Sequence, residues 1–122
     1  MSNHVYLMKE ANPIKECNYK ILAIHDVMDL LNGKWKVSII ACLCHEKMRY
    51  SELLRTIEGI SGKMLSRDLK ELEMNQLIIR KVLDTKPITV EYEITEYGST
   101  LKHLTNVIAE WGLSHRNKII NG

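Results

Sequence analysis

The spacing of apolar residues divides the first part of the chain into helical segments. Between Tyr19 and Leu31, apolar residues recur every three or four positions, which is the spacing of one helical face. Residues 34–46 are apolar on nearly all sides, a pattern typical of a helix buried inside a domain. We predict that Gly33 ends the first helix. Residues 1–18 show no clear period and contain Pro13, so we predict an N-terminal arm there.

Two shorter helices, separated by a tight break, are predicted next. The first covers residues 51–57, with Ser51 as its N-cap. Its inward-facing residues are predicted to be Leu53, Leu54 and Ile57. The second runs from Gly62 to about Asn75, with Ser61 as its N-cap. Two short helices joined by a tight turn form a helix-turn-helix.

A β-hairpin is predicted after Gln76, where the period changes from about 3.6 residues to about 2. Residues 77–83 are rich in β-branched side chains, and residues 89–94 alternate cleanly between apolar and acidic positions. The apolar positions of the second strand are Val90, Tyr92 and Ile94. Pro87 marks the connecting loop. A hairpin directly after a helix-turn-helix would be its wing.

A long helix is predicted to close the chain, with Thr95 as its N-cap. Its apolar residues keep a three-four spacing, like the seam of a coiled coil. The predicted fold class is therefore α+β: a winged helix-turn-helix with a two-stranded wing and a long C-terminal dimerisation helix. We assign residues 19–122 to this winged-helix DNA-binding and dimerisation domain.

The helix predicted at residues 62–75 has a basic face opposite its apolar face. Lys63, Ser66, Arg67 and Lys70 fall on one side, and three leucines fall on the other. Such a helix fits the major groove of DNA, where its first residues can reach base edges. The candidate DNA-binding residues are Ser61, Gly62, Lys63, Ser66, Arg67 and Lys70, with Arg80, Lys81 and Lys86 in the wing. The alternative is that these cations only solvate an exposed helix face and protect an edge strand from aggregation.

The bulk composition limits how DNA could be bound and where the protein acts. A chain of 122 residues with a net charge of +2 indicates one domain whose nucleic-acid binding would need a local basic patch. No stretch approaches the roughly 20 apolar residues of a membrane span, and no secretion signal is apparent. We therefore expect a cytoplasmic protein without membrane contact.

Two apolar stripes exceed what one small domain is expected to bury, one on the first helix and one on the last. Packing against a second copy would bury both, and a homodimer would place two helices about 34 Å apart on a symmetric operator in double-stranded DNA. The candidate interface residues are Ile24, Leu101, Leu104, Ile108 and Trp111. The alternative is burial of the stripe against the chain's own core.

The three cysteines differ in their predicted surroundings. Cys42 and Cys44 fall in the buried helix and are expected to be small core residues. Cys17 lies between lysines near a helix start, which favours a reactive thiol, although an inert structural cysteine fits the sequence as well. No tight cysteine–histidine cluster or catalytic motif is present, so we expect no metal site, no cofactor and no enzyme activity.

Several motifs, taken together with their spacing over about residues 17–115, resemble the HxlR family of bacterial transcription regulators. They are GKW at 33–35, YSEL at 50–53, GIS at 59–61, LSRDLKELE at 65–73, VEYEIT at 90–95, Gly98, WG at 111–112, and Cys17. The resemblance implies a homodimeric winged-helix protein whose terminal helices form the dimer interface. It also implies that some members respond to electrophiles or oxidants through the cysteine matching Cys17.

Three functions follow from these patterns. The first is a sequence-specific DNA-binding transcriptional regulator, with thiol-based sensing of electrophiles or oxidants as a further property. The second is a winged helix that contacts an acidic protein partner through the same basic face. The third is a small redox enzyme using Cys17, which the lack of a CxxC motif argues against.

Overall fold

The computed structural model describes residues 13–122, which fall into two compact units divided between Asn32 and Gly33. The described part of the first unit is one helix, α1 (Pro13–Leu30), in which no residue is buried. The helix starts at Pro13 rather than at Tyr19, which corrects the prediction of a non-helical segment there. Proline is tolerated in the first helical turn because its missing N–H would have no partner there. Residues 1–12 of the predicted arm lie outside the described residues.

The second unit has the element order of a winged helix-turn-helix and confirms the predicted fold class. Its elements are α2 (Lys36–His45), β1 (Met48–Arg49), α3 (Tyr50–Thr56), α4 (Gly62–Met74), β2 (Ile78–Leu83), β3 (Thr89–Ile94), α5 (Glu96–Ser99) and α6 (Lys102–Asn121). The helices α3 and α4 form the helix-turn-helix, and β2 and β3 form the wing.

Aliphatic side chains from α2, α3, α4 and the start of β2 form the core of this unit. The fully buried ones are Ile39, Ile40, Leu43, Leu53, Leu65, Leu69, Leu72, Leu77 and Ile78. The second helix is buried through Ile39, Ile40 and Leu43 but leaves Ala41 and His45 exposed, so its predicted burial on nearly all sides is only partly confirmed, whereas the burial of the three α4 leucines is confirmed. Leu54 was predicted to face inward but is 38% exposed, because the short α3 turns only Leu53 fully into the core.

The wing belongs to a three-stranded antiparallel sheet with the order β1–β3–β2. The hairpin pairs Ile78 with Ile94 and Leu83 with Thr89, so the predicted strands are confirmed. The third strand, β1, pairs with β3 only through Met48 and Arg49. Two residues are too few to show an alternating pattern, so the sequence did not reveal this strand.

The start of α3 differs from the prediction. The helix begins at Tyr50, so Ser51 lies inside its first turn and is not the N-cap. Arg49 precedes the helix, and its backbone N–H donates to Oε1 of Glu52 at 2.8 Å. A glutamate at the third helical position thus accepts a hydrogen bond from the residue before the helix, which is half of a capping box.

The end of α4 is closed by a Schellman motif. The N–H of Gln76 donates to the Glu73 carbonyl at 2.9 Å, and the N–H of Leu77 donates to the Leu72 carbonyl at 3.0 Å. Gln76 adopts a φ of 62°, a conformation that glycine usually supplies at this position. The motif turns the chain from α4 directly into β2.

The predicted closing helix is divided into α5 and α6 in the structure. Thr95 caps α5 as predicted, since its Oγ1 accepts from the Gly98 N–H at 2.9 Å. A Cβ added at Gly98 would lie 2.0 Å from the Leu77 carbonyl oxygen, so only glycine fits this close approach. The second helix, α6, then starts at Lys102.

Candidate nucleic-acid interface

The two faces of α4 separate as the sequence indicated. Leu65, Leu69 and Leu72 are buried, whereas the opposite side of the helix is exposed. We call this exposed side the α4 face, and it consists of Lys63, Ser66, Arg67 and Lys70. Because helix side chains point where the backbone rotation directs them, burial of the leucines aims the α4 face at solvent.

Two predicted residues at the start of α4 have structural contacts of their own. The Oγ of Ser61 accepts the Met64 N–H at 3.1 Å, which confirms the predicted N-cap. A Cβ added at Gly62 would lie 3.3 Å from the Tyr50 hydroxyl, so Gly62 makes room for this side chain. Both residues thus position the first turn of α4, whatever ligand that turn meets.

Tyr50 links the two helices of the helix-turn-helix, a role that the sequence did not reveal. Its hydroxyl donates to the Gly62 carbonyl at 3.1 Å and lies 3.1 Å from Oγ of Ser66. A hydrogen bond across a turn depends on how two helices meet, so no periodicity marks the residue. The contact fixes the first turn of α4 against the first residue of α3.

A salt bridge joins α4 to α2. Nζ of Lys36 lies 2.7 Å from Oε2 of Glu71, and the Lys36 side chain is 3% exposed while that of Glu71 is half exposed. The hydrogen bond from Lys36, together with the positive charges of Lys36 and Arg67, lowers the pKa of Glu71 against the opposing effect of desolvation. Periodicity could not reveal this contact, because Lys36 falls in an otherwise apolar segment.

Arg67 has a partner on its own helix. Its Nε lies 3.3 Å from Oδ1 of Asp68, whose side chain is buried. The contact uses Nε, so the two terminal nitrogens of the guanidinium can still donate to a ligand. Asp68 therefore holds Arg67 in place without occupying its forked end.

The wing contributes Arg80 to the same surface as α4. Arg80 pairs with Tyr92 across the hairpin, so the two side chains lie on one face of the sheet. A groove between α4 and the wing, here called the wing groove, is lined by Ser66, Lys70, Glu73, Arg80 and Tyr92. A neighbouring groove is lined by Arg49, Tyr50, Ser51, Arg80, Thr89, Val90 and Tyr92. Arg80 lines both grooves, and Arg49, at the end of β1, borders the second one.

Lys81 lies on the opposite face of the sheet, because successive strand residues alternate in direction. Its Nζ lies 2.7 Å from Oε1 of Glu93, and Lys47 lies 3.9 Å from Glu91 on the same face. The hydrogen bond and charge of Glu93 raise the pKa of Lys81, and the same contact lowers the pKa of Glu93. The structure thus brings Arg80, but not Lys81, to the α4 face.

Lys86 is exposed in the loop between β2 and β3. Within this loop, Oγ1 of Thr85 donates to the Pro87 carbonyl at 2.7 Å and lies 3.1 Å from Oγ1 of Thr89. These contacts brace the wing tip on both sides of Lys86. Its cation is therefore presented at the end of the wing, apart from the wing groove.

The cysteines occupy two environments. Cys17 is exposed on α1, whereas Cys42 and Cys44 are partly buried on α2. Burial raises the pKa of both α2 thiols, and the charge of Lys102 opposes this rise at Cys44. Among residues 13–122, no three His, Cys, Asp or Glu side chains are placed to hold a metal ion.

The candidate dimer residues are exposed to different degrees. Leu101 and Leu104 are partly buried, and Ile24 and Ile108 are about half exposed. Trp111 is 69% exposed and stacks on His115 with a centroid separation of 5.2 Å and an interplanar angle of 18°. Around Ile108 and Trp111, α6 therefore presents apolar side chains that the rest of the second unit leaves largely uncovered.

Comparison with known proteins places the chain in a family. The HxlR-like helix-turn-helix model matches residues 30–119. The chain belongs to the HxlR-like helix-turn-helix family. The resemblance predicted from its motifs is thereby confirmed, and the protein is a transcriptional regulator with a helix-turn-helix domain. The uncharacterized HTH-type transcriptional regulator YtcD of Bacillus subtilis (strain 168) is 38% identical over 98 residues, which are 80% of this chain and 78% of YtcD.

Solved structures of relatives have the same fold. The crystal structure of YtcD matches with a TM-score of 0.73 and 39% identity, covering 77% of this chain and 96% of that one. The redox regulator HypR in its reduced form matches with a TM-score of 0.74 and 32% identity, covering 82% of this chain and 99% of the HypR chain. The reduced transcriptional regulator YodB from B. subtilis matches with a TM-score of 0.64 and 36% identity, covering 73% of this chain and 87% of the YodB chain.

Within residues 13–122, no helix combines the length and the apolar character needed to cross a bilayer.

The Lys36–Glu71 contact predicts a pH-dependent contribution to stability. Because the folded-state pKa of Glu71 is lowered, the contribution is present above the unfolded-state pKa of about 4.3 and is lost as the pH falls through the folded-state value. We expect Glu71→Gln to lower the free energy of unfolding above about pH 5, and the difference from wild type to disappear at lower pH. Urea unfolding at a series of pH values measures this difference.

Glu58→Gln provides a matched control for this experiment. Glu58 is an exposed carboxylate in the turn before α4, so its replacement removes the same charge without disturbing Lys36. A difference between Glu71→Gln and wild type that stays constant with pH would contradict a role for the Glu71 charge.

Proposed function

We propose that this regulator binds a specific sequence in double-stranded DNA as a homodimer, and that Cys17 makes binding sensitive to electrophiles or oxidants. The main supporting observation is the exposed α4 face beside Arg80 and the wing groove. The cations converge on one side of a helix that buried leucines hold in place. The protein's small net charge makes this local concentration of cations the chemically distinctive surface.

The geometry of α4 supports insertion into the major groove. Its first two turns present Lys63, Ser66 and Arg67, and the terminal nitrogens of Arg67 can donate to a guanine edge. Lys70 and Arg80 border the wing groove and are placed for phosphates flanking the inserted helix. The wing tip would bring Lys86 to a more distant phosphate.

The exposed apolar side chains of α6 support a homodimer. Ile108 and Trp111 lie on a single helical stripe, and a second copy would remove this stripe from water. A two-fold dimer would repeat the α4 face about 34 Å away, the spacing that suits a palindromic operator. Ile24 on α1 supplies a further exposed apolar side chain for the same purpose.

The exposure of Cys17 supports its role as the sensing thiol. Cys17 lies in the second turn of α1, open to reagents, whereas burial raises the pKa of the other two thiols and so disfavours their reactive thiolate forms. The similarity to HypR and YodB adds to this proposal, since HypR is named a redox regulator and YodB was also crystallised after diamide treatment. Modification near the start of α1 would alter operator affinity.

Removing single cations tests the DNA-binding surface. We expect Lys70→Ala to weaken binding to all duplexes about equally and to reduce the salt slope of log K by about one, because one phosphate contact is lost. Lys81→Ala removes the same charge from the opposite sheet face and is the matched control, with an unchanged slope expected. Fluorescence anisotropy over a range of salt concentrations provides both slopes.

Two outcomes would contradict this surface. Equal effects of Lys70→Ala and Lys81→Ala on the salt slope would show that DNA affinity does not depend on which side of the protein carries the cation. Affinity for duplex DNA that is absent, or independent of salt, would favour the winged helix as a protein-binding module instead.

Charge placed on the α6 stripe tests the homodimer. We expect the wild-type chain to sediment as a dimer at micromolar concentration, and Ile108→Glu to shift it to a monomer, because a carboxylate would be buried at the interface. Asn117→Glu adds the same charge about 180° around the helix and should remain dimeric. A monomeric wild-type chain at this concentration would contradict the proposed assembly.

Replacing each thiol tests the sensing role. Diamide takes up two electrons and two protons as it joins the Cys17 thiols of the two protomers into a disulfide, so treatment should change the operator affinity of wild-type protein, and dithiothreitol should restore it. We expect Cys17→Ser to be insensitive, and the double variant Cys42→Ser/Cys44→Ser to respond like wild type. An unchanged response in Cys17→Ser would exclude Cys17 as the sensor.

A further inference from the structure

The Tyr50 hydroxyl determines the direction of one hydrogen bond on the α4 face. A phenol has one proton to donate, and a carbonyl oxygen can only accept. Both oxygens lie 3.1 Å from the Tyr50 hydroxyl, and we assign its proton to the Gly62 carbonyl, an arrangement in which Ser66 is the donor to Tyr50. The Ser66 proton therefore points back into the protein, and only the lone pairs of its Oγ remain for a ligand.

Ser66 is then chemically different from its neighbours on the α4 face. Lys63, Arg67 and Lys70 are donors only, whereas Ser66 held by Tyr50 is an acceptor only. Phosphate oxygens are acceptors, and so are the major-groove atoms of guanine and of thymine, apart from the thymine methyl group. A fixed acceptor at residue 66 cannot bond to any of these.

We propose that Ser66 is a specificity-determining residue that accepts a hydrogen bond from the amino group of adenine or cytosine, and that Tyr50 is its positioning residue. These amino groups, adenine N6 and cytosine N4, are the hydrogen-bond donors that base pairs present in the major groove. The inference rests on the proposed DNA binding through α4. It goes beyond that proposal in two respects: it names the class of base edge that Ser66 selects, and it names Tyr50 as the side chain that imposes the selection.

The position of Ser66 fits this role. It lies at the fifth residue of α4, on the exposed side and at the edge of the wing groove beside Lys70 and Arg80. Those cations can hold the phosphates on either side, which would bring the base edge to Ser66. If Ser66 were free to rotate, its hydroxyl could donate to guanine or thymine as readily as it accepts, and would discriminate poorly between bases.

Selection of bound fragments from random duplex DNA tests the proposal with the full chain. Because every base pair carries one such amino group, the strand is what discriminates: we expect wild-type protein to require an adenine or a cytosine on one particular strand at one position, and Ser66→Ala to lose that requirement. Tyr50→Phe keeps the ring but frees the Ser66 proton, so it should also admit guanine or thymine there while keeping its other base preferences. Ser66→Thr retains the hydroxyl and should retain the requirement. Tyr97→Phe removes an exposed hydroxyl from α5 and is the control, with wild-type preferences expected.

Base analogues then test the amino group directly. Purine in place of adenine, or 2-pyrimidinone in place of cytosine, removes only the amino group at the selected position. Wild-type affinity should fall about two- to tenfold, the range of a single neutral hydrogen bond, and Ser66→Ala should show no fall.

The outcomes separate this inference from the proposed function. If wild-type protein binds DNA but Tyr50→Phe keeps the same preference, or Ser66→Ala weakens all sequences equally, the role of residue 66 is overturned while DNA binding stands. Wild-type protein that ignores loss of the amino group also overturns it. Absence of any duplex binding by wild-type protein overturns both.

Discussion

Burial of Leu65, Leu69 and Leu72 is the constraint on which the candidate interface depends. Each fully buried leucine side chain contributes about 1.5–3 kcal/mol relative to exposure, so the three together fix the rotation of α4 about its axis. A rotation by one residue, about 100°, would bring leucines to the surface and charged groups to the core. Lys63 and Arg67 thus point outward because of core packing, and no interaction of their own side chains is needed to orient them.

Polar contacts then fix how far α4 projects and where it ends. Tyr50 holds its first turn, the Lys36–Glu71 pair holds its third, and the Schellman motif at Gln76 ends it. The three contacts join α4 to α3, α2 and β2 respectively. A helix held at its start, middle and end presents side chains with little freedom, which is what selective binding of a ligand requires.

Periodicity was sufficient to predict the elements in which one face is consistently buried. The α4 helix and its Ser61 cap followed from spacing and from one residue of known capping preference, and both strands of the wing followed from alternation. The β1 strand was missed because two residues, Met48 and Arg49, cannot show a period. Tyr50 and Lys36 were missed for a different reason: each bonds to a residue distant in sequence, and only the folded geometry brings the partners together.

The ion pairs on the outer face of the sheet make the electrostatic potential differ between the two sides of the winged-helix unit. Lys47 and Lys81 are matched there by Glu91 and Glu93, so that face exerts little net pull on a distant charge. On the side of α4, the cations of Lys63, Arg67, Lys70 and Arg80 outnumber the carboxylates of Asp68 and Glu73 beside them, so the potential is one-sided even though the whole chain has a net charge of only +2. The potential would orient a polyanion toward α4 before contact. A larger share of collisions would then occur in the orientation that leads to binding, which raises the association rate.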